Sequence, residues 1–205
     1  MLLRIHPDNP GARQIKIVTE CLNDGGIVIC PTDTVYGLTC DIFKSKAIQQ
    51  IARIKGIKPE KANFSFICHD LSQLSDFTKP IDNNIYKMMK RALPGPYTFI
   101  LEANNTVPKY IQNKKKTVGI RIPDNQIPVD IVRQLGHPIM STSVHDEDDI
   151  IEYTTDPELI YEKYQDLVDI VIDGGFGKNE ASTVINCVKH QVEVIREGLG
   201  SLDIL

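Results

Sequence analysis

Four polar clusters stand where apolar, strand-like runs end, and each has residue types that could do chemistry. In "CPTDTVYGLTCD", residues 30 to 41, Pro31 closes the run "IVIC". Thr32, Asp33 and Thr34 then place short hydrogen-bonding side chains at its mouth, and Tyr36 adds an aromatic face. Gly37 permits a close approach of backbone or ligand. The same stretch would equally serve as a turn, with Asp and Thr bonding nearby amides. The second cluster, "RIKGIKPEKANFSF", sets Arg53, Lys55, Lys58 and Lys61 around a helix end and the loop after it. Cations there complement the helix dipole, or clamp a phosphate or carboxylate. In the third, "KKKTVGIRIPDN", Arg121 has apolar neighbours along a strand, an expensive place for a charge without a partner. Lys114, Lys115 and Lys116 ahead of it read as a solvated run that could touch nucleic acid. The fourth, "GHPIMSTSVHDEDD", passes from Ile139-Met140 into Ser141, Thr142 and Ser143, then His145 and the carboxylates 146 to 149. Its hydroxyls could form a ligand-facing strand terminus or only the rim of a sheet, and its acidic run reads as a solvated loop.

Several chemistries are excluded by pattern. There is no phosphate loop of the GxxxxGK type, no GxGxxG, no GxSxG elbow and no HExxH. The five histidines share no ligand spacing with the five cysteines, so no metal is expected on protein ligands alone. The cysteines are odd in number and form no CxxC pair, which suits free thiols in a reducing cytoplasm. The apolar runs are too short to span a bilayer and the N-terminus is no secretory signal, so a cytoplasmic protein without membrane contact is expected. Net charge is −4, but its distribution is uneven: residues 1 to 123 carry a balance of +8 and residues 124 to 205 one of −12. A chain so polarised can offer a basic face to phosphates, unless its halves interleave in space.

The elements that must position these clusters alternate along the chain. An opening strand near Leu2 to Ile5 precedes a helix through Ile15, Val18 and Leu22 that Gly25-Gly26 ends. "IVIC", "FSFIC", "YTFILEA", "TVGIRI", "PIMST", "DIVIDGG", "STVINCV" and "QVEVIREG" read as strands, the last two as a hairpin around His190. Helices are expected at "KSKAIQQIARIKG", "NNIYKMMKRAL", "NQIPVDIVRQLG" and Pro157 to Tyr164. The second places Pro94-Gly95-Pro96 at its stop, and the third tolerates Pro128 only in its first turn. The fold class expected is α/β: a single domain over residues 1 to 205, with a twisted, open, mixed sheet flanked by helices.

Taken in order, "PTDTVYGL", "PGPYTFIL", "GIRIP", "MSTS" and "STVIN…VIREG" resemble the YrdC-like family over roughly Ile15 to Gly198. That family includes threonylcarbamoyl-AMP synthases and a YciO-like branch. The resemblance implies a concave, positively charged surface that binds nucleotides and double-stranded RNA. Its synthases join ATP, L-threonine and bicarbonate, with Mg2+, into threonylcarbamoyl-AMP and pyrophosphate, for threonylcarbamoyladenosine modification of tRNA. Longer members add a C-terminal domain that is not expected here. By motif position, Thr32, Thr34, Tyr36 and Ser143 are implied at the threonine, and Lys55 and Lys58 in catalysis. Arg121, Thr142, Ser143, His145, Ser182 and Arg196 are implied at the nucleotide, with Lys61 and Lys114 to Lys116 on RNA. Three positions depart from the pattern: Ile57 for the arginine of Lys-x-Arg, His145 for the asparagine after the Ser-Thr-Ser motif, and Asn125 for a histidine after Arg-x-Pro. These departures resemble the YciO-like branch. They set an enzyme of threonylcarbamoyl chemistry against an RNA- or ribosome-binding paralogue that keeps the nucleotide pocket.

Overall fold

The computed structural model describes residues 1–58, 64–111, 115–144 and 152–205. Ten strands build one mixed sheet: β1 (Leu2–Arg4), β2 (Val28–Cys30), β3 (Gly37–Asp41), β4 (Ser65–Ile67), β5 (Tyr97–Glu102), β6 (Thr117–Arg121), β7 (Ile139–Ser143), β8 (Ile170–Asp173), β9 (Thr183–Asn186) and β10 (Glu193–Arg196). Their spatial order is β1-β8-β2-β3-β7-β4-β6-β5-β9-β10. Strands from the acidic half are thus inserted between strands of the basic half. The chain's charge polarity is therefore not a boundary between two halves of the molecule.

The helices are α1 (Ala12–Asn23), α2 (Ser45–Ile54), α3 (Asn83–Ala92), α4 (Gln126–Leu135), the short α5 (Glu152–Thr155) and α6 (Pro157–Tyr164). Local chemistry sets their ends. Asp82, Asn125 and Asp156 accept the orphan N–H groups of Asn84, Ile127 and Glu158 at the starts of α3, α4 and α6. Pro128 lies in the first turn of α4, where its missing N–H costs no helical bond. That helix stops at Gly136, whose φ of 79° suits a residue without Cβ.

Alternation along the strands divides the core in two. Ile29, Phe66, Met140 and Val171 join a cluster with Ile48 and Ile51 of α2, Met88 and Met89 of α3, and Ile160 of α6. Val28, Cys30, Ile67, Ile139 and Ile172 face the other way, against Ile15, Val18 and Leu22 of α1 and Ile127 and Ile131 of α4. These two helices cover only part of their face, and the remainder is open.

The hairpin of β9 and β10 forms as expected, through a 3-10 turn at Val188–His190. One strand departs from the sequence pattern: "GLTCD", the tail of a polar cluster, is β3, paired antiparallel with both β2 and β7. Its glycine and aspartate, Gly37 and Asp41, weaken the strand signal, and its pairing on both edges supplies what local pattern lacks. Among the described residues no helix is long and apolar enough to cross a membrane.

Candidate functional site

The uncovered sheet face is a cleft of about 680 Å3. Its floor is shallow-sided because small residues line up across adjacent strands: Ser141 lies opposite Ser65, and Ser65 opposite Gly119. A Cβ on Gly119 would stand 3.3 Å from both Ser65 Cβ and Thr98 Cγ2. A Cβ on Gly37 would stand 2.7 Å from Ser141 Oγ. The depth of the cleft is therefore a consequence of side chains that are missing.

At one end Arg121 closes β6, 7% exposed. Its Nη2 donates to Asp33 Oδ1 at 2.8 Å and to Thr34 Oγ1 at 2.9 Å. The second oxygen of Asp33 accepts the N–H of Asp124 at 3.1 Å, which fixes the carboxylate. Burial pushes the Arg121 pKa down, Asp33 opposes that shift, and the charge of Arg196 adds to it. The Nε–H of Arg121 is buried and has no partner. An unpaired donor on a buried cation is costly, and at a cleft it points to a ligand.

Across the cleft, a bulge in β10 shifts the register between Val194 and Arg196, so that Ile195 and Arg196 both reach the lining. Arg196 donates to the Ser182 carbonyl from Nε at 3.2 Å and from Nη2 at 2.8 Å. Ser182 Oγ lies 2.8 Å from Thr98 Oγ1. Ile57, Phe64, Val107 and Ile111 give the lining an apolar part.

A family model described as "Telomere recombination", spanning Sua5, YciO and YrdC proteins, matches residues 20–198. The chain belongs to the Sua5, YciO and YrdC family. The uncharacterized protein YciO of Escherichia coli is 39% identical over 200 residues, covering 97% of this chain and 95% of that protein. The crystal structure of E. coli YciO has a TM-score of 0.92 at 37% identity, over 100% of this chain and 98% of that one. A threonylcarbamoyl-AMP synthase of Coxiella burnetii is 27% identical over 173 residues, 84% of this chain and 91% of that protein. P. abyssi Sua5, solved as a complex with L-threonine, shares the fold with a TM-score of 0.87 at 24% identity, over 97% of this chain and 57% of that one.

Of the residues that the family resemblance nominated, the cleft brings together Thr34, Tyr36, Arg121, Thr142, Ser143, Ser182 and Arg196. Two of the nominated side chains near its mouth are committed elsewhere. The Thr32 hydroxyl donates to the Val35 carbonyl at 2.8 Å and accepts the Thr34 N–H at 3.1 Å, the turn chemistry its sequence also allowed. The Tyr36 ring is fully buried in the core. Its hydroxyl donates to the Gly175 carbonyl at 2.6 Å and accepts the Gly174 N–H at 3.3 Å, and burial pushes its pKa up. Tyr36 thus fixes the loop after β8 beside the cleft. Of the stretch Lys55 to Lys58, the residue that lines the cleft is Ile57, while Lys58 is exposed and Lys55 half-buried at the end of α2. Lys115 and Lys116 are exposed just before β6. Lys61, Lys114 and His145 lie outside the described residues.

The pairing of Asp33 with Arg121 and the apolar part of the lining are not legible in the sequence. The floor had a signal: in Thr117-Val118-Gly119-Ile120-Arg121 small or polar residues alternate with apolar ones, the period of a strand with one open face. Asp33 had none, since it is 88 residues from its partner. Among the described residues no three His, Cys, Asp or Glu side chains gather as a metal site.

Proposed function

We propose that the cleft is an adenine-nucleotide site working in threonylcarbamoyl chemistry, of the type that makes threonylcarbamoyl-AMP and pyrophosphate from ATP, L-threonine and bicarbonate. The observation that carries this reading is Arg121: a buried guanidinium with an unpartnered Nε–H, set beside hydroxyls on a cleft that a second arginine, Arg196, also lines. Such chemistry asks the protein for positioning and charge stabilisation more than for proton transfer. That fits a lining rich in Ser, Thr and Arg. Support also comes from the relatedness to a threonylcarbamoyl-AMP synthase and from the shared fold of the threonine-bound Sua5. Asp33 is committed to Arg121 and to the Asp124 amide, so Mg2+ in this reading arrives on the nucleotide phosphates.

A second reading has its own observation. Ile57 lines the cleft, at the position where the synthase pattern has an arginine. This favours a paralogue that retains the pocket without efficient synthesis and binds tRNA or double-stranded RNA. The deciding experiment supplies ATP, L-threonine, bicarbonate and Mg2+ and follows pyrophosphate and threonylcarbamoyl-AMP directly. Threonine-dependent turnover that Arg121→Ala abolishes establishes the first reading. No turnover, with nucleotide still bound, establishes the second. Nucleotide binding that survives Arg121→Ala refutes the placement of the site.

A further inference from the structure

We infer that a patch at the β3–α2 connection binds single-stranded nucleic acid, with unpaired bases stacked on Phe43 and Tyr110 and phosphates met by Lys44, Lys46 and Lys109. Among the described residues neither ring lines the cleft, although Ile111, next after Tyr110, does. The patch therefore adjoins the cleft, and the inference stands whatever the cleft holds. Phe43 is 49% exposed and Tyr110 41%. Single exposed apolar side chains are ordinary, but here two rings stand at one connection and both are held in place. The Phe43 N–H donates at 2.7 Å to Oδ1 of Asp41, a carboxylate buried at the end of β3. The Phe43 ring meets the His137 ring in a T-shaped contact with centroids 4.9 Å apart. The Tyr110 hydroxyl donates to the Ile42 carbonyl at 3.0 Å, one residue from Phe43. Rings fixed in this way lose little freedom when a ligand stacks on them.

Helix stability does not account for the lysines. Lys44 is the half-buried N-cap of α2, and the exposed Lys46 lies in its first turn. A cation there opposes the helix dipole, and no acidic residue occupies that turn to offset it. Arg53, in the last turn, sits where the dipole favours it. Lys109 adds an exposed cation beside Tyr110. Aromatic faces interleaved with cations suit a single strand, because every base has a face to stack and the charge tracks the backbone. A duplex keeps those faces inside its own stack.

The test is fluorescence anisotropy of the intact protein with a labelled oligouridylate of about 12 nucleotides, within the span such surfaces cover. The RNA strand, the matching DNA strand and the RNA annealed to oligoadenylate are compared, each with and without excess AMP. The single strands should bind more tightly than the duplex, and AMP should leave that binding unchanged. Phe43→Leu keeps an apolar side chain without the aromatic face, and should weaken the single strands by about fivefold or more, the worth of one stacked base. Lys46→Gln should lower the slope of log affinity against log salt by about 0.7. Both positions are exposed, and a thermal melt checks each variant's fold. Tighter binding of RNA than of DNA makes the partner RNA, and equal binding makes it any single strand. A duplex held as tightly as the strand overturns the inference, as does an unchanged affinity in folded Phe43→Leu protein. Release by AMP also overturns it, since the strand would then lie in the cleft. No anisotropy change with either strand overturns it too, and leaves the rings to a protein partner.

Discussion

Replacing Asp33 by Asn should destabilise the fold while improving the site. Asp33 and Arg121 meet at 2.8 Å with side chains only 7% and 8% exposed, so water does little to screen the pair. Two charges about 4 Å apart attract by about 4 kcal/mol at the effective dielectric that describes protein sites best. Asn is isosteric, so the shape is kept, but it loses the charge and one of the two hydrogen bonds that Asp33 accepts from Arg121 and the Asp124 amide. Removing one partner strands the other as an uncompensated buried charge, which costs about 3–5 kcal/mol. For a chain of 205 residues this is a fall in melting temperature of about 6–20 °C. Anion affinity should move in the opposite direction, because Arg121 loses its internal competitor. The assay is circular-dichroism melting of native and Asp33→Asn protein, with and without AMP. A large destabilisation that AMP partly reverses is expected. A change below about 1 kcal/mol would show that the pair does not hold the strand end, and the argument from Arg121 would fail with it. A double variant, Asp33→Asn with Arg121→Met, should recover much of the loss, since no charge is then left buried.

Other expectations follow from the same geometry. Gly119→Val should fill the cleft floor, where a Cβ already meets two side chains at 3.3 Å, and weaken AMP binding by about tenfold or more while far-UV circular dichroism stays native. Tyr36→Phe removes bonds to Gly174 and Gly175 and should cost about 1–2 kcal/mol, read as a lower urea midpoint and faster proteolysis at residues 174–177. The thiols test the burial directly. Burial pushes Cys30, Cys40 and Cys68 well up, and Cys21 and Cys187 to about 11. A disulfide reagent at pH 8 should label the native protein slowly and all five thiols quickly after unfolding. Because these folded pKa values are raised, the folded state keeps protons that the unfolded chain gives up. The associated stability is present below the ordinary thiol value and is lost as pH rises toward about 11, so the urea midpoint should fall across that window.

How much was legible in the sequence depended on the range over which each feature is encoded. The helix caps at Asp82, Asn125 and Asp156 lie two residues from the amides they hold, and the β9–β10 hairpin closes within a few residues. Thr32 shows the limit of a motif: its place suggested a ligand, and its hydroxyl is spent on the turn. Strand β3 shows the limit of local pattern, because a strand paired on both edges needs less of its own propensity.

By itself the sequence determined the α/β class, the order of most elements, the family and the identity of the two arginines. Each of these is written in periodicity or in motifs, where residues a few positions apart report on one another. Only the tertiary structure decided that Asp33 neutralises Arg121, that Tyr36 serves the loop at Gly174-Gly175, and that Ile57 lines the cleft. Asp33, Tyr36 and Ile57 all lie in connections between elements, where no periodicity reports on a side chain's surroundings. Which sheet face is left open beside them depends on where α1 and α4 stop covering it. That boundary is set by packing between segments more than a hundred residues apart, and no window along the chain contains it.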